Sequence, residues 1–209
     1  LLVKKIMLEL GYEVERIRVG NHDVYNKKPI FNFEMHRSLV PITSQFYEYY
    51  GEIWDKSIKD KDNGYGYHLS KEDFYIFFIA HFYKHFSSRG CGVRSLIDEY
   101  LYLKKEQNNL NWEYVYEELK KLNIDIIEKN IKKLCFNLFD NAYAKLTNED
   151  EQLYKQILDS GTYGSLHMRV NNSLNNEYTN NGKKWIKFRY YLRRIFPDVK
   201  TVKRGYPIV

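Results

Sequence analysis

A chain of 209 residues, 44% of them hydrophobic, is long enough to bury a core as one domain or two small ones, which excludes a disordered chain. No apolar run approaches the roughly 20 residues of a membrane span, and nothing reads as a secretory signal. The net charge of +6 is unevenly placed: residues 183–204 hold nine Lys or Arg and one acid, so removing that local +8 leaves −2 for the rest.

The opening LLVKKIMLELGYE predicts a short amphipathic helix with Leu2, Ile6 and Leu10 on one face, closed by Gly11. Strand segments follow at 12–19 (YEVERIRV), 23–27 (DVYNK) and 30–39 (IFNFEMHRSL). The turn Gly20-Asn21-His22 and then Lys28-Pro29 separate them. In the third segment Phe31, Phe33 and Met35 alternate with Asn32, Glu34 and His36. A period of two puts the apolar side chains on one face and a carboxylate and an imidazole on the other. Together these segments make a small α+β unit.

From residue 69 the period becomes helical. Ser70 is the predicted N-cap, Asp73 the capping-box acid, and Leu69 with Phe74 a hydrophobic staple. This helix runs to about residue 86 and stops at Ser87-Ser88-Arg89-Gly90. A second helix covers about 93–105, and Asn111 caps a third. The stretch DIIE from Asp125 to Glu128 reads as a capping box for a fourth, and Thr147 caps a fifth that reaches about Leu158. Helices with short connections imply a packed bundle, so the expected class is α+β. The Asn-rich segment 171–182 reads as a loop, and 185–195 as a short helix stopped by Pro197.

The densest chemistry lies in AHFYKHFSSRGCGVRSLIDEYLYL, residues 80–103. His81 and His85 share a helix face with the spacing of zinc proteases, but Phe82 stands where those enzymes carry a glutamate, and no third ligand is obvious. A second reading makes both rings ordinary half-buried histidines and makes Arg94 and Asp98 an intrahelical ion pair. A third is an anion grip. Gly90 and Gly92 allow close backbone approach, the next helix aims its N-terminus at the turn, and Lys84, Arg89 and Arg94 supply cations. Glu34 is either a solvated outward carboxylate or, with His36 on its face, part of a site. Cys91 and Cys135 form no metal or redox motif, and a reduced, cytoplasmic setting is expected.

FNFEMHRSL, YHLSKEDFYIFFIAHFYKHF, GCGVRSLIDEYLYL and RRIFPDVKTVKRGYP occur in an order and spacing that resemble the uncharacterised bacterial nucleotidyltransferase family. That pattern is a strand ending Glu-Leu-His, a helix with His-x-x-Lys-His, then Arg-x-x-x-Asp, and a late Phe-Pro near Tyr-Pro. The resemblance implies a polymerase-β-like sheet with a helix over residues 1–68, a helical domain over 69–160 and a basic aromatic tail over 161–209. It also implies transfer of a nucleoside monophosphate from an NTP to an unidentified acceptor by a two-metal mechanism using Mg²⁺ or Mn²⁺. Glu34 matches the third acidic metal ligand. Lys84, Arg89 and Arg94, with Asp98 and His36, fall at phosphate- and nucleotide-binding positions, and His81 or His85 at that of a proton carrier. These groups are expected to line the cleft facing the sheet.

The family's Asp-x-Asp pair is expected before the helix that ends at Gly11, and Leu1 stands where an initiator Met is usual. The sequence therefore reads as a piece of such an enzyme, with metal binding and activity expected only with the Asp pair. The rival readings are a catalytically inactive nucleotide-binding protein, a zinc protein built on His81 and His85, and a nucleic-acid binder using the 183–204 tail. In that tail Trp185, Phe188, Tyr190 and Tyr191 alternate with cations.

Overall fold

A computed structural model describes residues 2–88, 90–140 and 146–161. The expected loop at 171–182 and helix at 185–195 lie outside them. The described residues form two compact units that divide between Ser57 and Ile58.

The first unit opens with α1 (Leu2–Glu9), followed by β1 (Glu13–Arg16), β2 (His22–Lys27) and β3 (Phe31–His36), a three-stranded antiparallel sheet with β2 in the centre. Gly11 adopts φ +80°, which lets the Tyr12 N–H turn back to the Met7 carbonyl at 2.9 Å and close α1. The stripe expected to face inward does not. Leu2, Ile6 and Leu10 are exposed and Met7 is the residue buried, because the Gly11 turn sets which side of this short helix meets β1. β1 ends early: its register shifts between Val14 and Arg16, and Arg18 at φ 57° begins the turn. The apolar face predicted for β3 is geometrically real, yet Phe31 and Phe33 stay exposed among the described residues, since β3 is an edge strand. Burial falls instead on Val24 and Tyr25 of the central strand. A short helix α2 (Tyr47–Tyr50) and a 3₁₀ turn (Ile53–Lys56) complete the unit.

The second unit begins with two short strands that the sequence pattern did not suggest, β4 (Ser57–Lys59) and β5 (Tyr67–Leu69), paired in a two-stranded sheet. Five helices follow: α3 (Lys71–Phe86), α4 (Arg94–Glu106), α5 (Trp112–Lys121), α6 (Asp125–Phe139) and α7 (Asn148–Asp159). Three predicted caps are in place. The Ser70 hydroxyl accepts the Asp73 N–H, Asn111 accepts that of Tyr114, and Thr147 forms a full capping box with Asp150. Asp73 departs from the box pattern: its carboxylate takes the Ser70 hydroxyl and, at 2.8 Å, the Tyr114 hydroxyl. Phe74 is exposed, with its ring 5.4 Å from that of Tyr102. Ile76 and Ile79, Leu96 and Leu103, Val115 and Leu119, Ile131 and Leu134, and Ile157 form the core from all five helices.

The capping box predicted at DIIE does not form, and the reason organises this unit. α6 starts after Ile124 without a side-chain cap, because Glu128 points into the core. There the Tyr75 hydroxyl lies 2.8 Å from Glu128 and 2.8 Å from Glu99, all three side chains being fully buried. A phenol has one proton, so it donates to one carboxylate only. Burial pushes the Glu99 carboxyl up to about 8, so at neutral pH Glu99 keeps its proton and donates it to the phenolic oxygen. Tyr75 then donates to Glu128, whose charge is balanced by the Lys132 ammonium 3.7 Å away. Lys132 is itself held over the Trp112 ring at 3.4 Å.

The pKa of Glu99 is raised above its unfolded value, so its contribution to stability is complete below 4.5 and is lost as pH rises through about 8. Glu99→Gln, which mimics the protonated acid, should therefore flatten the fall in stability over that window. The wild-type disadvantage should grow by up to about 1.4 kcal/mol per pH unit, read from urea unfolding at several pH values. Tyr75→Phe leaves Glu99 without a partner and Glu128 with Lys132 alone, and should cost about 2–3 kcal/mol at pH 7 in the same assay.

Candidate functional site

In the antiparallel pair β2–β3, His22 faces His36 and Val24 faces Glu34. Directly opposed residues share a sheet face, as do residues two apart on one strand, so His22, Glu34 and His36 project together. The Glu34 carboxylate oxygen Oε2 lies 3.8 Å from His22 Nε2 and 3.7 Å from His36 Nε2. The two rings are 5.0 Å apart.

Hydrogen-bond accounting settles the tautomers. The Arg16 guanidinium can only donate, and it lies 2.6 Å from His22 Nε2, so that nitrogen carries a lone pair. His22 Nδ1–H then donates to Asn21 Oδ1 at 3.2 Å. The Asn21 amide nitrogen is left to donate to His36 Nδ1 at 3.3 Å and to the Ser38 carbonyl at 3.2 Å. His36 therefore carries its proton on Nε2, facing Glu34.

His36 also lines a pocket of about 220 Å³ with Lys4, Arg18, Asp23 and Arg37. Asp23 accepts the Arg18 backbone N–H at 2.8 Å and pairs with Arg37 at 3.2 Å. Three cations to one anion give this pocket the polarity that phosphate oxygens seek. Of this whole group, sequence reasoning names only Glu34 and His36. His22 reads as a turn residue in GNH, but it is the first residue of β2. The signal that finds it is the hairpin itself. Once the chain reverses at Lys28-Pro29-Ile30, pairing Lys27 with Phe31 sets His22 against His36.

In the helical unit the predicted residues gather as two pairs. His81 and His85 on α3 bring their Nε2 atoms to 3.2 Å. Burial, and then the neighbouring Lys84 cation, pull the pKa of His85 below its ordinary value, so a neutral ring donates or accepts in this pair. Among the described residues no third donor joins them; the one group of three potential metal ligands is His22, Glu34 and His36. Arg94 and Asp98 lie 3.6 Å apart as an exposed pair along α4. They line a pocket of about 400 Å³ with Gly92, Ser95, Leu158 and Gly161 at the start of that helix. Lys84, His81 and His85 are not among its lining residues. Arg89 and the 183–204 tail lie outside the described residues.

The turn between α3 and α4 is held tightly. Gly90 sits at φ +94° with its N–H on the His85 carbonyl at 2.9 Å. A Cβ there would come within 2.1 Å of the Ser160 Oγ and 2.4 Å of its Cβ.

The family described as uncharacterised nucleotidyltransferase matches residues 2–140, from α1 through α6. The chain belongs to that family. Searches of curated proteins and of solved structures each found no significant match. Membership carries the general activity, nucleotidyl transfer, and with it an NTP substrate. No helix among the described residues is long and apolar enough to cross a membrane. The only Asp-x-Asp spacing in the chain, Asp60-Lys61-Asp62, follows β4, where Asp60 is bonded to His68 at 2.5 Å.

The sequence resemblance leads to an expectation of Mg²⁺ or Mn²⁺ at Glu34. The donors gathered there are one carboxylate and two imidazoles, all within 4.8 Å of one another. Mg²⁺ takes hard oxygen ligands in octahedral geometry, so this donor set does not fit it; imidazole nitrogen suits later transition ions.

Gly90→Ala should destabilise the protein by at least about 2 kcal/mol, through both the left-handed backbone and the clash with Ser160. Thermal unfolding checks this, and an unchanged midpoint would mean that the turn is not packed against Ser160 as described.

Proposed function

We propose that this nucleotidyltransferase transfers a nucleoside monophosphate from an NTP to an acceptor hydroxyl or similar nucleophile, with the hairpin of the first unit as its nucleotide end. One observation carries the reading. His36 belongs both to the Glu34 cluster and to the pocket lined by Lys4, Arg18 and Arg37. Groups able to hold a cation thus adjoin groups able to hold phosphate, the pairing that NTP chemistry requires.

In the reaction the acceptor oxygen bonds to the α-phosphorus, the bond to the β-phosphate bridging oxygen breaks, and pyrophosphate leaves. A divalent cation held near these oxygens would offset charge on the attacking and leaving oxygens. Glu34 is the carboxylate of the hairpin that would help hold such a cation, and its two imidazole neighbours favour an ion other than Mg²⁺. Lys4, Arg18 and Arg37 hold the triphosphate oxygens. In the helical unit Arg94, oriented by Asp98, offers a further anion contact at the start of α4. Within the helical unit the His81–His85 pair, beside Lys84, is a group able to hold or pass a proton.

A fluorescent ATP or GTP analogue titrated into the 209-residue chain tests the phosphate pocket. Lys4→Ala combined with Arg18→Ala should weaken binding by about tenfold or more, for the loss of two charge-assisted contacts. Unchanged affinity would refute the assignment. Pyrophosphate release separates the rival readings: binding with no release favours a catalytically inactive nucleotide-binding protein. Oligonucleotide binding that falls steeply with salt, without NTP binding, favours the nucleic-acid reading.

A further inference from the structure

We infer that His22, Glu34 and His36 form a binding site for a divalent transition ion that prefers imidazole, of the Zn²⁺ or Co²⁺ class. It shares Glu34 with the proposed transfer site. Its readout is ion binding without nucleotide, so it stands or falls separately from transfer.

Four features of the hairpin argue for it. The donor number and type, two imidazoles and a carboxylate, match sites that keep one further position open for water or a substrate oxygen. The spacing is close to closed. Ligands about 2.1 Å from a tetrahedral ion lie about 3.4 Å from one another, and Glu34 already stands 3.7 and 3.8 Å from the two rings. For those two distances a contraction of a few tenths of an ångström suffices, and it falls mainly to Glu34 and His36, whose side chains are half exposed. The scaffold is rigid, because all three donors leave one face of a registered strand pair. Last, His22 has the tautomer of metal-ligating histidines: its Nδ1–H is fixed by Asn21 Oδ1, so Nε2 carries a lone pair, which Arg16 now occupies.

The same geometry names the competitor. The Arg16 guanidinium lies 2.6 Å from His22 Nε2, where an ion would bond, and must swing aside on loading. His36 must also move its proton from Nε2 to Nδ1. Asn21 then gives up its contact with that ring and keeps its bond to Ser38. Arg16 is thus a brake on ion affinity. A cluster that served only to hold the hairpin together would have no reason to respond in this way.

Calorimetric titration of the 209-residue chain with ZnCl₂, CoCl₂ and MgCl₂, without nucleotide, tests the site. One Zn²⁺ should bind per chain, with Mg²⁺ weaker by about 100-fold or more. Co²⁺ should develop the visible absorption of a nitrogen- and oxygen-ligated ion. His22→Ala, His36→Ala and Glu34→Gln should each lose about tenfold or more, as removal of metal-site groups does. Arg16→Ala should bind Zn²⁺ several-fold more tightly, while the double variant His81→Ala, His85→Ala keeps wild-type affinity. Four results would overturn the site: no stoichiometric binding, Mg²⁺ as tight as Zn²⁺, loss in the α3 double variant instead, or no gain in Arg16→Ala. Zn²⁺ binding without NTP binding would sink the transfer reading alone, and NTP binding without this ion selectivity would sink the site alone.

Discussion

One phenol shared by two buried carboxyls fixes the helical unit. Tyr75 comes from α3, Glu99 from α4 and Glu128 from α6, so a single hydrogen-bonded chain determines how these three helices align. An apolar core tolerates small slides between helices. A buried polar chain does not, because a slipped carboxyl would lose its hydrogen bond to Tyr75 and cannot reach water. The margin is thin, since the second oxygens of Glu99 and Glu128 already lack partners. Both pairs of candidate residues in this unit ride on the aligned helices. His81 and His85 lie on α3 beyond Tyr75, and Arg94 opens α4 ahead of Glu99. The Gly90 turn between them leaves no room for a side chain against Ser160.

The first unit depends on a different constraint, strand register. Pairing His22 with His36 is what converts a carboxylate and an imidazole on one strand into a group of three donors. A slip by one residue would send all of one strand's side chains to the opposite face. The polar face is also wired laterally. Arg16 of β1 and Asn21 before β2 decide which histidine nitrogen is free, so chemistry on β3 is set from two neighbouring segments. On the other side of His36, Asp23 pairs with the Arg37 guanidinium and accepts the Arg18 backbone N–H, so one of the pocket's cations is compensated.

Much of this was legible in the sequence where the signal was local. Ser70, Asn111 and Thr147 announce helix starts because a cap needs only a side chain and the next few backbone N–H groups. The alternation through FNFEMH gave the face of Glu34 and His36, and four spaced motifs gave the family. What was not legible depended on distant partners. DIIE satisfies the capping-box pattern, and only Tyr75, 53 residues away in sequence, makes a core acid of Glu128. His22 looks like turn filler until the register of the opposing strand is known. Leu2, Ile6 and Leu10 look like a core stripe because amphipathicity says which residues share a face, not which face is covered. The Lys84 and Arg94 motifs read as one constellation in the chain; of their residues, Arg94 and Asp98 line the pocket at the start of α4, and His81 and His85 pair with each other on α3.

Nucleotide phosphates are proposed to lie beside the histidines of the hairpin. Long-range ¹H–¹⁵N spectra of the histidine rings, recorded while ATP is added to the 209-residue chain, address that placement directly. His36, which lines the basic pocket, should shift most, with His22 following through Asn21 and with His68 unmoved. Ring shifts confined to His81 and His85, or none at ATP concentrations that saturate binding, would contradict it and move the nucleotide away from Glu34.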